Sequence, residues 1–526
     1  MEKMAKMAEN VKVSSEPVVL EAVNGSINAT VSVTYPEGYF HPKAVVEVTP
    51  VIVYDGGEAK MNPLYYQGEK VRNNYKVVSS AGQTVKDNVH FEFVDGMEKS
   101  YLELRGKVIG KSKDITLPSK KVADGVNTTY MLVKDEGSVA LKEDAYQEVI
   151  TVSEEGQILY KVNSSEVRSS ELKSQSLKDF RAALDEAAAN ERATLAGTEI
   201  VAYASPEGDQ ALNDKLSTKR GQSAADVWSK VVDAQKVSDP AVRSVGEDWE
   251  GFQELVSKSN IEDKDLILRV LSMYSDPAVR ENEIRNMSEV FTELKDEVLP
   301  ELRRARFIAN VEYKNYTPEE LLQMVDENSD VLDEEAILRA ATLVKDNSKK
   351  IELYKKAADK FNSSRAQYNL GVIYLNQDNL DKAEKAFKKV EKDADVENAL
   401  GVIAMRKGEI NDAVKHFRAA GNEDASANLG VINILTGNYD DAVECLKDTK
   451  GCCHNLALAY ILTDRLDEAE AAIHCKSPEC AYLKAIIAAR QGRAADVKKY
   501  LDDATSRSRE LKERAATDVE FAGYDI

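Results

Sequence analysis

Through the first quarter of the chain apolar and polar residues alternate with a period of two. The segments INATVSVTY (27–35), KAVVEVTPVIVY (43–54), VHFEFV (89–94) and YLELRGKVI (101–109) are rich in β-branched and aromatic residues, with Gly, Asn, Asp and Pro clusters between them. This pattern predicts an antiparallel β-sandwich over residues 1–150. Past residue 155 the period changes. ILYKV (158–162) and EIVAY (199–203) read as strands, and 172–189 reads as a helix with Leu177, Phe180, Leu184 and Ala188 on one face. A loop over 204–209 leads into a second helix running to residue 232. Strand, helix, strand, helix predicts an α/β sandwich over 151–314. A charged helical stretch at about 249–300 interrupts it, with Asp276 and Pro277 as the cap and first residue of one helix. ARFIANVEY (305–313) then alternates like a strand returning to the sheet.

From residue 315 to 505 the chain is helical and internally repetitive. YNLGVIYL, NALGVIAM, NLGVINIL and NLALAYIL align Gly371, Gly401, Gly430 and Ala457. Ala383, Ala413, Ala442 and Ala469 form a second small-residue series, and Phe387, Phe417, Leu446 and Ile473 close each unit. One helix pair cannot bury its own apolar face, so such pairs stack into an α-solenoid. The order of small and aromatic positions resembles tetratricopeptide repeats, which implies a groove that holds protein segments. Residues 506–526 read as a tail.

Composition narrows the function. The 526-residue chain carries 70 Lys and Arg against 91 Asp and Glu, a net charge of −21, which disfavours nucleic acid and anionic membrane surfaces as partners. No stretch reaches the roughly 20 apolar residues of a transmembrane helix, and residues 1–11 lack the apolar core of a signal peptide. No GxSxG, HExxH, P-loop or GxGxxG motif is present and no pair of carboxylates stands out, so the expectation is a non-enzyme without cofactor or metal.

Two stretches of the central domain, IVAYASPEG (200–208) and LNDKLSTKRGQSAADV (212–227), look like the strand, Gly-ending loop and N-x-x-L-S-x-x-R helix of the OmpA-like, peptidoglycan-associating domain. ILYKVNSSEV (158–167) resembles that family's first strand and turn, and ARFIANVEY behind Arg303 and Arg304 its closing strand. The helical stretch between is then an insertion. With a β domain before it and repeats after it, the chain looks like Bacteroidetes-type envelope proteins. The resemblance implies a periplasmic scaffold at the outer membrane, with an export signal removed and a possible lipid anchor, that binds the diaminopimelate-containing stem peptide of peptidoglycan and recruits a protein partner through its repeats. Arg220 would grip the ligand carboxylate through paired hydrogen bonds. Asn213 and Ser217 precede it at i, i+4 and i+7 spacing on one helix face. Ser205 stands where the family has an aspartate for the ligand ammonium, and Glu207 is the nearby replacement carboxylate. The second reading is an adaptor or accessory subunit of an outer-membrane assembly, secretion or transport complex, whose OmpA-like module no longer holds peptidoglycan.

Cysteines occur only late, at Cys445, Cys452, Cys453, Cys475 and Cys480. Their spacings do not match zinc knuckles. In the repeat register Cys445 with Cys452 or Cys453, and Cys475 with Cys480, flank successive turns, which predicts two local disulfides in an oxidising compartment.

Overall fold

The computed structural model describes residues 2–525 apart from 112, 233–236, 262–263, 287 and 451–452. The chain divides into two compact units, one made of Met1–Glu143 with Tyr354–Ile526 and the other of Asp144–Leu353. The boundaries read from sequence at 150, 314 and 505 follow changes of periodicity. The contact boundaries follow packing, which joins segments far apart in sequence.

In the first unit, Ser26–Tyr35 pairs antiparallel with Gln83–Glu92, Ser26 lying opposite Glu92 and Tyr35 opposite Gln83. Lys12–Glu16 and Leu20–Val23 also pair with this strand. A second sheet runs in the order Ile115–Thr116, Ser100–Val108, Val45–Tyr54, Leu64–Gly68, Lys76–Val78. Alternate residues of Ser26–Tyr35 (Ile27, Ala29, Val31, Val33, Tyr35) are buried, as a sheet with one covered face requires. Leu20, Phe91 and Tyr130 belong to the same apolar core as Ala457, Tyr482, Ile486 and Phe521, so the β strands and the last repeats share one interior. Residues 506–526 are part of it rather than a tail. They form the helix Arg509–Ala515 and a 3-10 turn at Val519–Phe521. Phe521 is buried, and Glu520 accepts hydrogen bonds from Arg490 (2.6 Å), Asn127 (2.9 Å) and Thr129 (2.8 Å).

Among the described residues five helix pairs follow one another, from Ser364–Asn376 with Leu380–Phe387 to Pro478–Arg490 with Ala494–Arg507. The aligned glycines set how closely each pair packs. A Cβ on Gly371 would stand 2.7 Å from the Phe387 ring, on Gly401 2.5 Å from Phe417, and on Gly430 2.5 Å from Leu446.

The second unit holds a four-stranded sheet in the order Val149–Leu159, Arg304–Lys314, Ala193–Ala204, Ala241–Glu247. The returning strand is antiparallel to both neighbours, with Gly156 opposite Phe307 and Ala202 opposite Ala305, and only the last pair is parallel. Helices Gln175–Ala189 and Gln210–Asp226 contribute Leu177, Phe180 and Ala224 to one core with Ile158, Ile200 and Phe307, where Trp228 stacks on Phe307 at 5.8 Å. The inserted helices have their own core of Phe252, Val256, Ile267, Leu271, Ile284 and Leu294. Ala241–Glu247 is a strand in a stretch, between the helix ending at 232 and the helical insertion from about 249, to which the sequence pattern assigns no element. It lies at the sheet edge with its first five residues exposed, so burial imposes no alternation on them.

Candidate functional site

The residues singled out by the OmpA-like resemblance lie at one end of the Ala193–Ala204 and Ala241–Glu247 strands, each already engaged within the protein. Ser205 donates to Glu207 at 2.9 Å, and the same Glu207 oxygen accepts from Arg303 Nε at 3.0 Å and Nη2 at 2.8 Å. Asn213 donates to Glu247 at 3.0 Å. Ser217 accepts from the Gly246 amide at 3.2 Å and donates to the Asp214 carbonyl at 2.9 Å. Spacing along the helix therefore does put Asn213, Ser217 and Arg220 on one face, and that face is turned inward. Arg220 is 1% exposed. Its guanidinium donates to the carbonyls of Ser164 (3.0 Å), Tyr203 (2.9 Å) and Lys161 (3.2 Å) and lies over the Tyr160 ring at 5.2 Å. Burial pushes its pKa down to about 10. Next to this group, Arg304 pairs with the buried Asp248 at 2.8 Å, whose other oxygen caps the Trp249–Lys258 helix through the Gly251 amide at 2.9 Å.

The cysteines form one disulfide among the described residues, Cys475–Cys480, with Cα atoms 6.5 Å apart. Cys445 and Cys453 are free thiols, and Cys452 lies outside the described residues. Cys453 does not meet Cys445, because it opens the helix Cys453–Leu462 facing the following repeat, where its sulfur is 3.9 Å from that of Cys480. The three sulfurs of Cys453, Cys475 and Cys480 lie within 4.8 Å of one another.

The repeats carry a further constellation that the sequence reading did not assign. Each of the four aligned motifs contains an asparagine shortly before its small residue, two residues before it at Asn369, Asn428 and Asn455 and three before it at Asn398. Asn369, Asn398 and Asn428 are each 1% exposed. A buried side-chain amide needs both a donor and an acceptor partner. Residues 133–143, which run along the first helices of the pairs without helix or strand structure of their own, provide them. Asn455 accepts from the Lys134 amide and donates to its carbonyl, both at 2.9 Å. Asn428 does the same for Ser138 at 2.7 and 3.0 Å, with Asn398 adding a second bond to the Ser138 carbonyl at 2.8 Å. Asn369 closes the same ring on Lys142 at 2.8 and 2.9 Å. The signal was the recurrence of one polar residue type at a helix position that is otherwise core.

Residues 364–392 and 451–474 match the tetratricopeptide repeat family. Comparison with curated proteins finds no match. Solved structures to which part of this chain is similar include an APC/C hetero-tetramer, Cut9–Hcn1, at 15% identity and TM-score 0.31, covering 38% of this chain and 46% of that one. A tetratricopeptide repeat protein from Parabacteroides merdae is similar at 15% identity and TM-score 0.30 over 38% and 90% of the two chains. YrrB, described as a repeat protein with an unusual peptide-binding site, is similar at 17% identity and TM-score 0.22 over 38% and 99%. Two segments of the helix-pair array thus match tetratricopeptide repeats, a scaffold class for protein–protein interaction.

Proposed function

We propose that the protein is a periplasmic adaptor associated with the outer membrane of a Gram-negative cell, in which the repeat-bearing unit engages a protein partner and the OmpA-like module is a structural frame. The environment of Arg220 carries the choice of adaptor over cell-wall anchor. Gripping a stem-peptide carboxylate would require a buried guanidinium to abandon three carbonyls, and each such charge-assisted bond is worth about 1.5–3 kcal/mol. Glu207, the carboxylate meant for the ligand ammonium, is neutralised by Arg303. The OmpA-like reading itself is supported by a closing strand that enters between the first and second strands of the sheet, and by the N-x-x-x-S-x-x-R face on the helix after the second strand. The Cys475–Cys480 disulfide fits an oxidising compartment.

The test is sedimentation of the purified protein with peptidoglycan, with and without free diaminopimelate as competitor, alongside cross-linking and co-purification from membranes. The adaptor reading expects no specific pelleting and a protein partner recovered from the membrane fraction. Pelleting that free diaminopimelate reverses, and that a folded Arg220→Lys variant loses, would instead make peptidoglycan the ligand.

A further inference from the structure

The groove along the first helices of the repeats is the place where an extended segment would be held, and residues 133–143 already lie in it. The three asparagine rings recur at Lys134, Ser138 and Lys142, every fourth residue of the segment. A side-chain amide paired with both the N–H and the C=O of one residue imitates the exchange between neighbouring strands, so it reads main chain without reading sequence. Side chains then fix the register. Arg406 donates to the Glu136 carbonyl through Nε at 3.0 Å and Nη2 at 2.5 Å. His454, 1% exposed, meets the Leu132 carbonyl at 2.6 Å. Ser138 donates to Asp424 at 2.7 Å. Lys142 is ion-paired with Asp393, lies 3.5 Å from Asp395 and sits over the Tyr368 ring at 5.1 Å. Gly137 has φ +83° and presses on Val402, where an added Cβ would stand 2.6 Å from the valine methyl. Val133 and Val139 pack on the repeat core. A cleft of about 250 Å³ lies beside the segment, against about 300–1,000 Å³ for a typical ligand site.

We propose that the repeat groove is a self-recognition site whose resident ligand is the protein's own residues 133–143, docked in cis. A segment of the same pattern, with glycine at the Val402 contact and lysine at the Asp393 and Asp395 contact, enters the groove only by replacing that strap. The inference rests on the repeats being an interaction scaffold and is independent of cellular location. It also sets a condition on the partner of the proposed adaptor: either it supplies such a segment and displaces the strap, or it docks on another surface.

A fluorescent peptide of residues 132–143 added to the purified full chain tests it by polarisation. The wild type is expected to leave the peptide free at protein concentrations where a Gly137→Tyr variant, its strap forced off Val402, binds it. Adding Asn428→Ala to that variant removes two hydrogen bonds to Ser138 and is expected to weaken binding about ten- to a hundredfold. Equal binding by wild type and Gly137→Tyr overturns the proposal, as does a Gly137→Tyr protein of native circular dichroism that binds no peptide. If Gly137→Tyr does not fold, hydrogen exchange on the wild type decides. The amides of Lys134, Ser138 and Lys142 are expected to be protected together, and exchange at the rate of the free peptide overturns the assignment.

Discussion

Gly401 and Arg220 show how far a residue's neighbourhood can be read from the chain itself. The glycine and its partner Phe417 lie in one helix pair, so the repeat motif already links them, and the structure places a would-be Cβ 2.5 Å from the ring. Gly401→Val is expected to destabilise the Met1–Glu143 and Tyr354–Ile526 unit by about 1–3 kcal/mol through overpacking, read from urea unfolding. A valine variant as stable as wild type would mean that the pair relaxes freely. Spacing likewise put Arg220 on a face with Asn213 and Ser217, but spacing is silent on what that face meets. Here it donates to the chain's own carbonyls, which belong to residues 56, 59 and 17 positions upstream. Arg220→Met keeps the aliphatic volume and leaves three carbonyls without their guanidinium donor, that of Tyr203 fully buried. It is expected to lower the stability of Asp144–Leu353 by about 2–4 kcal/mol. An unchanged midpoint would show the guanidinium to be dispensable for the frame. The asparagines are the opposite case. Their motif is plain in the sequence, but their partners lie 227 to 321 residues away, beyond the reach of any local pattern.

At the scale of elements, what was legible was whatever burial had stamped with a period. The strands at Ser26–Tyr35, Val45–Tyr54 and Arg304–Lys314 alternate because one face of each is covered, and they were found nearly whole. The edge strand Ala241–Glu247 has little burial and therefore no pattern to find. The last 21 residues illustrate a different loss. Their apolar positions are few and widely spaced, yet Phe521 stands 2% exposed, edge-on to Tyr482 at 5.5 Å, and Glu520 joins Arg490 to the β domain through Asn127 and Thr129. A residue buried by distant segments carries no local signature of its burial. Phe521→Ala is therefore expected to cost about 3–5 kcal/mol, the loss of a core aromatic rather than of a tail residue. Thermal unfolding checks it, and a shift in Tm within error of wild type would return residues 506–526 to the status of a tail.

For the whole molecule, the strap gives one unit a built-in response to acid. His454 lies at the start of the helix Cys453–Leu462, where burial holds its pKa below the ordinary histidine value; Lys134 lowers it further, and the Leu132 carbonyl, Glu479 and Glu136 oppose the shift without cancelling it. The native imidazole is neutral and donates through Nε2 to the Leu132 carbonyl, while its Nδ1 is buried and meets no acceptor for an added proton among the described residues. In the unfolded chain the same side chain binds a proton at about pH 6.5. Below that pH the unfolded state holds more protons than the native state, so the stabilisation is complete above about pH 6.5 and is lost as pH falls toward the depressed native pKa, with a slope of at most about 1.4 kcal/mol per pH unit. His454→Gln can retain the donor to Leu132 and cannot titrate. Urea unfolding of wild type and variant at pH 7.5, 6.5 and 5.5, followed through the exchange of the Lys134, Ser138 and Lys142 amides, isolates this one group from the carboxylates that titrate lower. The stability difference between the two proteins is expected to move in the variant's favour as the pH is lowered. Parallel pH profiles would show that protonating His454 costs the native state nothing, and that the strap is held without regard to the charge beneath it.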